Sequence, residues 1–278
     1  MRTPRRGESF RWAGFGLASV AAVALAGGCS TDGGGTTPNA GSSASAGAGV
    51  PGPSGSAGAA DPAAAAELSA AAAKLGTESF KVTMTSGSGF KVDGAMDAPN
   101  GVGTATLTAS GQNTEVQVKT LLIAQDLYVQ VPGITKAGTW THVDVSRLPE
   151  GANIGLKPGQ IDPANTAQLL TSTTDVRETG SGSYAGTLDL TKAAGVAGMD
   201  QKTISAWGDK AQNVPFTAGV DDQGRLSALT IQIPAINGQQ AQPLEVLYTD
   251  YGTKVDAPRP AANEITEAPD NLYKSLGG

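Results

Sequence analysis

The chain has 278 residues, a formal net charge of −6, one cysteine and one histidine. This length suits one sizeable domain or two small ones. A single cysteine excludes an intramolecular disulfide, and one histidine with dispersed carboxylates indicates no metal site. Because no run of lysines and arginines follows residue 28, the acidic balance argues against nucleic acid as a partner.

The first 28 residues are predicted to be a signal peptide. Four arginines and one glutamate stand among them, so their removal takes away a net charge of +3 and leaves −9. An uncharged, largely apolar stretch runs from Trp12 to Ala26 and ends in small residues before Cys29. A membrane-spanning helix would need about 20 apolar residues, so this stretch is better suited to a cleaved leader.

Residues 25–29, with the sequence LAGGC, resemble the lipobox of bacterial lipoproteins, although Ala26 stands where that motif usually has leucine. The resemblance implies cleavage before Cys29 and acyl chains on its thiol. Two acyl chains suffice for stable anchoring, so the protein is expected on the outer face of the cell membrane. The alternative is an ordinary secretory leader that ends near a free cysteine.

Residues 29–60 are predicted to be the lipidated cysteine and a flexible tether. Residues 30–60 are rich in Gly, Ser, Ala and Pro and contain no aromatic side chain, so they lack the apolar surface that would offset ordering. A globular domain is expected from 61 to 258, and a loosely ordered tail from 259 to 278.

The domain begins with a predicted helix over 62–75, because Asp61-Pro62 is a start signal and Gly76 a stop signal. Alternating residues rich in Val and Thr then predict consecutive antiparallel strands. Their ranges are 80–86, 90–98, 102–110, 114–125, 126–131 and 139–145.

The second half starts with the same helix signal at Asp162-Pro163, which predicts a short helix containing Leu169 and Leu170. The patterns that follow predict further elements of both kinds. They are a hairpin over 174–191, helical or irregular chain over 192–210, a hairpin over 213–234 with its turn at 221–224, and a last strand over 244–255.

This order of elements predicts an α+β domain with one large antiparallel sheet and short helices on one face. Such a sheet can curve. If helices cover its concave face incompletely, an apolar cavity for a hydrophobic ligand remains between the layers.

Catalytic patterns are absent from the sequence of the domain. His142 and Asp144 share a face of an alternating strand, and Asp144 could orient the imidazole. No Gly-x-Ser-x-Gly motif supplies a nucleophile, and no glycine-rich loop joins a strand to a helix. We therefore predict a protein that is not an enzyme and has no cofactor, metal site or catalytic residue.

Short motifs in the same order along residues 61–258 resemble the LppX/LprAFG family of actinobacterial lipoproteins, which is related in fold to the lipoprotein carrier LolA. They are 72–74 (AAK) with 79–82 (SFKV), 126–129 (DLYV), Trp140, Asp162-Pro163 with Leu169-Leu170, 175–176 (DV), 186–189 (GTLD), 214–216 (VPF), 229–231 (LTI), 248–252 (YTDYG) and 255–258 (VDAP).

The resemblance implies a curved half-barrel whose concave side, partly closed by helices, holds an acylated lipid or lipoglycan for transfer within the cell envelope. The lining candidates are the apolar residues of one strand face and of the facing helix, and each could equally be ordinary core. They are Val116, Val118, Leu127, Val129, Leu169 and Leu170.

Two alternatives remain open at this point. One is a surface-displayed binding or structural lipoprotein with a filled core, and the more remote one is a secreted hydrolase. A cavity above roughly 300 Å³ would favour lipid binding. In either lipoprotein hypothesis the partner is the membrane, through Cys29, and we expect a monomer.

Overall fold

The structure is a computed structural model that describes residues 60–87, 89–111, 115–133, 135–148, 161–193, 201–235 and 242–275. The predicted signal peptide, Cys29 and all but the last residue of the predicted tether lie outside these ranges. No helix in the described ranges has the length and apolar character to cross a membrane.

Helix α1 (Pro62–Ala73) begins where the sequence predicts. The Asp61 side chain accepts a hydrogen bond of 2.8 Å from the backbone N–H of Ala63, and Pro62 occupies the first turn, where it needs no donor. The helix tightens into a 3₁₀ turn at Lys74–Gly76, and Leu68 and Leu75 are buried on the side that faces the sheet.

The remaining elements alternate between long hairpins and short helices. The strands are β1 (Ser79–Ser86), β2 (Phe90–Asp97), β3 (Val102–Ser110), β4 (Glu115–Ile123), β5 (Asp126–Gln130), β6 (Trp140–Asp144), β7 (Arg177–Gly180), β8 (Ser183–Leu188), β9 (Val214–Val220), β10 (Leu226–Ile233), β11 (Gln242–Thr249) and β12 (Ile265–Glu267). The other helices are α2 (Thr166–Leu170), α3 (Gln201–Trp207) and α4 (Asp270–Ser275).

All twelve strands form one open sheet in the order β12-β6-β5-β4-β3-β2-β1-β11-β10-β9-β8-β7. Every pairing is antiparallel except that of β12 with β6, which is parallel. The predicted large antiparallel sheet with a few short helices is therefore confirmed as a mixed α/β fold with an open, mostly antiparallel sheet.

The strand register separates two faces of this sheet. On the inner face, Val82 lies opposite Tyr248, Leu229 opposite Val246, and Ile231 opposite Phe216. These side chains form one buried cluster with residues of the helices, including Leu68, Leu169 and Ile204. Within the part of the chain that the structure describes, this hydrophobic core lies between the inner face and the helices.

The outer face is mainly polar. Its positions include Lys81, Thr83, Thr106 and Lys119, and its Leu247 is 51% exposed. We call the residues from 250 to 267 the C-terminal strap, because they run from β11 in the middle of the sheet to the edge strand β12, which pairs with β6.

The end of the chain differs from the prediction in two respects. The last predicted strand stops at Thr249 instead of 255, because Asp250 (φ 51°) and Gly252 (φ 77°) turn the backbone out of the strand. The tail predicted to be loosely ordered contains a 3₁₀ turn at Ala262–Glu264, then β12 and α4. Three paired residues give no period-two pattern, so β12 is not recognisable in the sequence.

Candidate functional site

The predicted lining residues lie together on the inner face and on α2. Leu122 is opposite Leu127, and Leu107 is opposite Val118, so the chosen positions of β4 and β5 point to the same side. Five of the six candidates are buried and Val116 is half-buried against the same cluster. Their role as the lining of a cavity stays a prediction. The buried five are Val118, Leu127, Val129, Leu169 and Leu170.

Burial along the inner face differs between the two ends of the strands. At the end we call lower, Phe80 is 1% exposed and Met96 and Leu122 are fully buried. At the opposite, upper end, Val118 and Leu244 are each 9% exposed, and three further apolar residues are only half-buried. Apolar surface is therefore accessible at the upper end. The half-buried residues are Phe90, Leu107 and Val116.

Glycines in β2 and β3 explain the tight packing of the lower end. A Cβ on Gly103 would lie 2.9 Å from Ile161 Cγ2, and one on Gly94 would lie 2.9 Å from the carbonyl oxygen of Thr104. Both approaches are shorter than side chains normally allow, so only glycine lets Ile161 and its neighbours come this close to the sheet.

Helix α2 is fixed to this lower end by a buried polar cluster. The carboxylate of Asp162 accepts hydrogen bonds from the backbone N–H groups of Ala164 (3.1 Å) and Thr166 (2.7 Å). The Tyr248 hydroxyl donates to the same carboxylate at 3.2 Å and lies 2.5 Å from Thr166 Oγ1. The Asp162-Pro163 signal thus starts the helix and also binds it to β11.

Burial changes the acid–base properties of this cluster. It raises the pKa of Asp162 despite the backbone N–H groups that stabilise its charged form, and it raises the pKa of Tyr248 well above its ordinary value. Sequence reasoning identified Asp162 only as a helix start. Its link to Tyr248 spans 86 residues, so no local pattern signals it.

A cleft of about 300 Å³ opens at the upper end of β1, β2 and β3, and its strand residues other than Phe90 lie on the outer face of the sheet. It is not the apolar cavity that the sequence predicts, because hydroxyl groups and Lys91 line it and none of the six candidates borders it. Phe90 belongs to both the cleft and the inner-face cluster. The lining residues are Thr85, Gly87, Gly89, Phe90, Lys91, Thr108 and Ser110.

His142, on the outer face, has partners other than the one expected. Its Nε2 lies 2.9 Å from Asp126 Oδ1, and its Nδ1 lies 2.8 Å from Glu267 Oε2. Asp144 instead accepts hydrogen bonds from the backbone N–H and the hydroxyl of Ser146. The hypothesis that Asp144 orients His142 is therefore wrong, since a short 3₁₀ turn after β6 directs that carboxylate to Ser146.

Arg259 of the strap completes this outer-face group. Its guanidinium donates to Asp126 Oδ2 at 2.5 Å and to the Tyr128 hydroxyl at 2.6 Å. The bond to His142, followed by the contact with Arg259, lowers the pKa of Asp126 although partial burial opposes it. For His142 partial burial lowers the pKa, but the bonds to Glu267 and Asp126 outweigh it and leave the pKa above its ordinary value.

This outer-face group connects chain segments and leaves no ring nitrogen of His142 free to accept a proton from a hydroxyl group. Within the described ranges, no set of three or more His, Cys, Asp and Glu side chains is arranged to hold a metal ion. The residues missed by sequence reasoning are Asp126, Arg259 and Glu267.

The chain was compared with the models of known protein families and with curated proteins. No family model matches it, and no curated protein matches it either.

Proposed function

We propose that the protein is an extracytoplasmic lipoprotein, anchored through Cys29, that binds an acylated lipid or lipoglycan and carries or presents it within the cell envelope. The binding surface would be the inner face of a curved sheet like that of the LppX/LprAFG and LolA-like proteins. The observation that carries this proposal is the accessible apolar surface at the upper end of the inner face, beside Phe90, Leu107 and Val116.

The driving force for binding would be the transfer of acyl chains from water to this surface. Each methylene group that is buried contributes about 0.8 kcal/mol, so a chain that reaches between the upper end and α2 gains affinity in proportion to its buried length. Burial of this kind is reversible and breaks no covalent bond. Polar headgroup atoms would stay in water at the rim of the inner face, because their burial without hydrogen-bond partners costs free energy.

The anchor and the tether suit this role. A coil of about 30 Gly- and Ser-rich residues has a root-mean-square reach of roughly 30 Å, which keeps the domain near the membrane while allowing it to turn. A carrier in this arrangement would meet lipids at the surface without leaving it.

A displayed binding or structural module without a lipid ligand is the second candidate. The filled lower end favours it, because Leu122, Leu127 and Leu169 are already packed to 3% exposure or less. His142 does not support the hydrolase alternative, because both of its ring nitrogens are hydrogen-bonded to carboxylates and neither is free to act as a general base.

Mass spectrometry of one preparation under two conditions tests the proposal. Protein expressed in its native host from the full-length gene would be weighed under native and under denaturing conditions. The denaturing mass reports covalent acylation of Cys29, and the excess of the native mass reports bound lipid. We expect both, with about one lipid per chain. A native mass equal to the denaturing mass, with no uptake of added lipid, would favour the second candidate.

Adjacent positions of β3 provide a matched pair of variants. Leu107 points to the inner face opposite Val118, whereas Thr106 points to the outer face opposite Lys119, and both are half-buried. Leu107→Gln should reduce the amount of bound lipid because it places an amide on the binding surface, while Thr106→Gln should leave it unchanged. Equal lipid content in the two variants would place the ligand elsewhere.

A further inference from the structure

The C-terminal strap connects two strands that lie seven strand spacings apart in the sheet. It leaves the eighth strand of the sheet order and rejoins at the first, a distance of about 34 Å at the usual strand spacing. The fifteen residues from 250 to 264 reach about 50 Å when fully extended. Ser79 holds the start of the strap, since its carbonyl accepts from Gly252 N and its hydroxyl donates to the carbonyl of Thr253.

The far end of the strap has few backbone contacts of its own. Strand β12 comprises three residues in a parallel pairing with β6 at the edge of the sheet, and the backbone N–H of Ala268 adds one bond of 2.8 Å to the carbonyl of His142. Short parallel edge strands are weakly held by the backbone alone. Side chains must therefore contribute much of the attachment.

The hydrogen bonds of His142 specify its protonation state. Both ring nitrogens lie within 2.9 Å of carboxylate oxygens, one on β5 and one on β12. Ionised carboxylates only accept hydrogen bonds, and a neutral imidazole has a single N–H to donate. Both bonds can exist together with ionised partners only when the ring is an imidazolium, which also offsets part of their negative charge.

The surrounding charges come from every element packed against the ring. Asp126 and Tyr128 face it from β5, with the Tyr128 ring centroid 5.1 Å away, and Glu267 faces it from β12. Arg259 bridges Asp126 and Tyr128 from the strap. Asp144 lies on the same strand, and beyond it Arg147 pairs with Asp270 of α4 and stacks on Tyr273.

We propose that protonated His142 fastens the C-terminal strap to the outer face of the sheet, and that loss of this proton releases β12 from β6. This pH-dependent attachment involves the part of the chain that follows β11, and it does not depend on lipid binding. Release would uncover Tyr128, which is 1% exposed, and the hydrogen-bonding edge of β6.

The pKa of His142 gives the direction of this effect. Because that pKa is raised above 6.5 in the folded protein, the stabilisation is complete below the unfolded value and disappears as the pH rises through the folded value. The pKa of Asp126 is lowered, so its contribution is lost only as the pH falls through that lowered value. The strap is therefore best fastened on the acidic side of neutrality and loosens toward alkaline pH.

A pH titration monitored by nuclear magnetic resonance tests whether the protonation of His142 controls the strap. His142 is the only histidine of the chain, so its ring signals are assigned without ambiguity. Protein expressed from the full-length gene would be ¹⁵N-labelled and freed of any histidine tag. We expect both ring nitrogens to be protonated at low pH, and the amide signals of Thr266 and Ala268 to shift with the same midpoint as the ring. Strap amides that stay unchanged while His142 titrates would overturn the proposal.

Hydrogen exchange of two variants separates the proton from the attachment itself. In the wild-type protein, exchange of the strap amides relative to those of β9 and β10 should increase with pH by at most about tenfold per pH unit, as expected for one proton. His142→Gln should remove this dependence. Arg147→Ala, which removes the contacts with Asp270 and Tyr273, should loosen α4 while keeping the dependence. A pH dependence that survives in His142→Gln would assign the effect to another group.

Discussion

The inner and outer faces of this sheet share the same strands but use different interactions. On the inner face, neighbours such as Leu229 and Val246 are aliphatic and fully or almost fully buried. On the outer face, the side chains are largely threonines and charged groups, and Leu247 stands half exposed among them. Apolar burial therefore holds the inner face to the helices, whereas polar bonds from Arg259 and Glu267 connect the strap to the outer face. Directly after the strap, Ala268 and Tyr273 are buried in the apolar cluster.

The apolar contacts of the inner face and the polar bonds of the outer face therefore contribute to stability in different ways, the former independent of pH and the latter dependent on it. Removing an inner-face side chain leaves a cavity whatever the pH, because no titratable group is needed for the contact. The outer-face attachment of the strap instead depends on His142, Asp126 and Glu267, whose hydrogen bonds need particular protonation states. The two faces should consequently differ in the size and in the pH dependence of mutational effects.

The largest effect is expected from a pair of leucines on neighbouring strands. Leu229→Ala empties a fully buried site of β10 and should lower the free energy of unfolding by about 2–5 kcal/mol. Leu247→Ala on β11 removes a side chain that is 51% exposed, and it should change the free energy by less than about 0.5 kcal/mol. Urea unfolding of both variants measures the difference, and similar losses would contradict the assignment of the two faces.

A pair of glycines should show a smaller contrast. A Cβ at Gly186, on the inner face of β8, would lie 2.8 Å from both the carbonyl oxygen of Asp175 and Phe216 Cε1, so Gly186→Ala should cost about 1–3 kcal/mol. Gly76, at the end of the 3₁₀ turn after α1, has no atom within 4 Å of such a Cβ. Gly76→Ala should stabilise by about 0.4–1 kcal/mol by restricting the unfolded chain. Thermal unfolding of both variants would reveal whether the signs differ.

Local patterns predicted most of the sheet correctly. Strand β3 occupies 102–110 as expected, and the strand expected over 114–125 is β4 at Glu115–Ile123, because alternation of apolar and polar residues is a property of consecutive positions. The same alternation placed Val118, Leu127 and Val129 on one face. It could not distinguish a cavity wall from a packed core, since both require apolar side chains at the same positions.

Local sequence patterns could not predict hydrogen-bond partners that are distant in the chain. Glu267 is 125 residues from His142, and Arg259 is 133 residues from Asp126, so their proximity depends on the path of the strap. Asp144, two residues from His142, was the natural local candidate. It was wrong because the chain leaves β6 directly after it, and the carboxylate accepts from Ser146 in the following turn.

Two aspartates offer the smallest and most selective test of the contrast between the faces. Burial raises the pKa of Asp162 at the inner face, so the folded protein retains a proton that the unfolded chain has already lost, and its stability falls as the pH rises through this interval. The bonds to His142 and Arg259 lower the pKa of Asp126 on the outer face, so its contribution is present above the unfolded value and is lost toward acid.

Replacing each carboxylate by the matching amide should therefore have opposite pH dependences. Relative to wild type, Asp162→Asn should become more stable as the pH rises from about 4 through the raised pKa of Asp162, because the variant has no carboxyl group to ionise at this site. Asp126→Asn should become less stable relative to wild type as the pH rises from the lowered pKa of Asp126 to about 4, because it cannot form the charged bonds with His142 and Arg259 that the wild type gains in this window. Unfolding curves at several pH values supply both slopes, and slopes of the same sign would mean that the two carboxylates do not differ as the two faces of the sheet require.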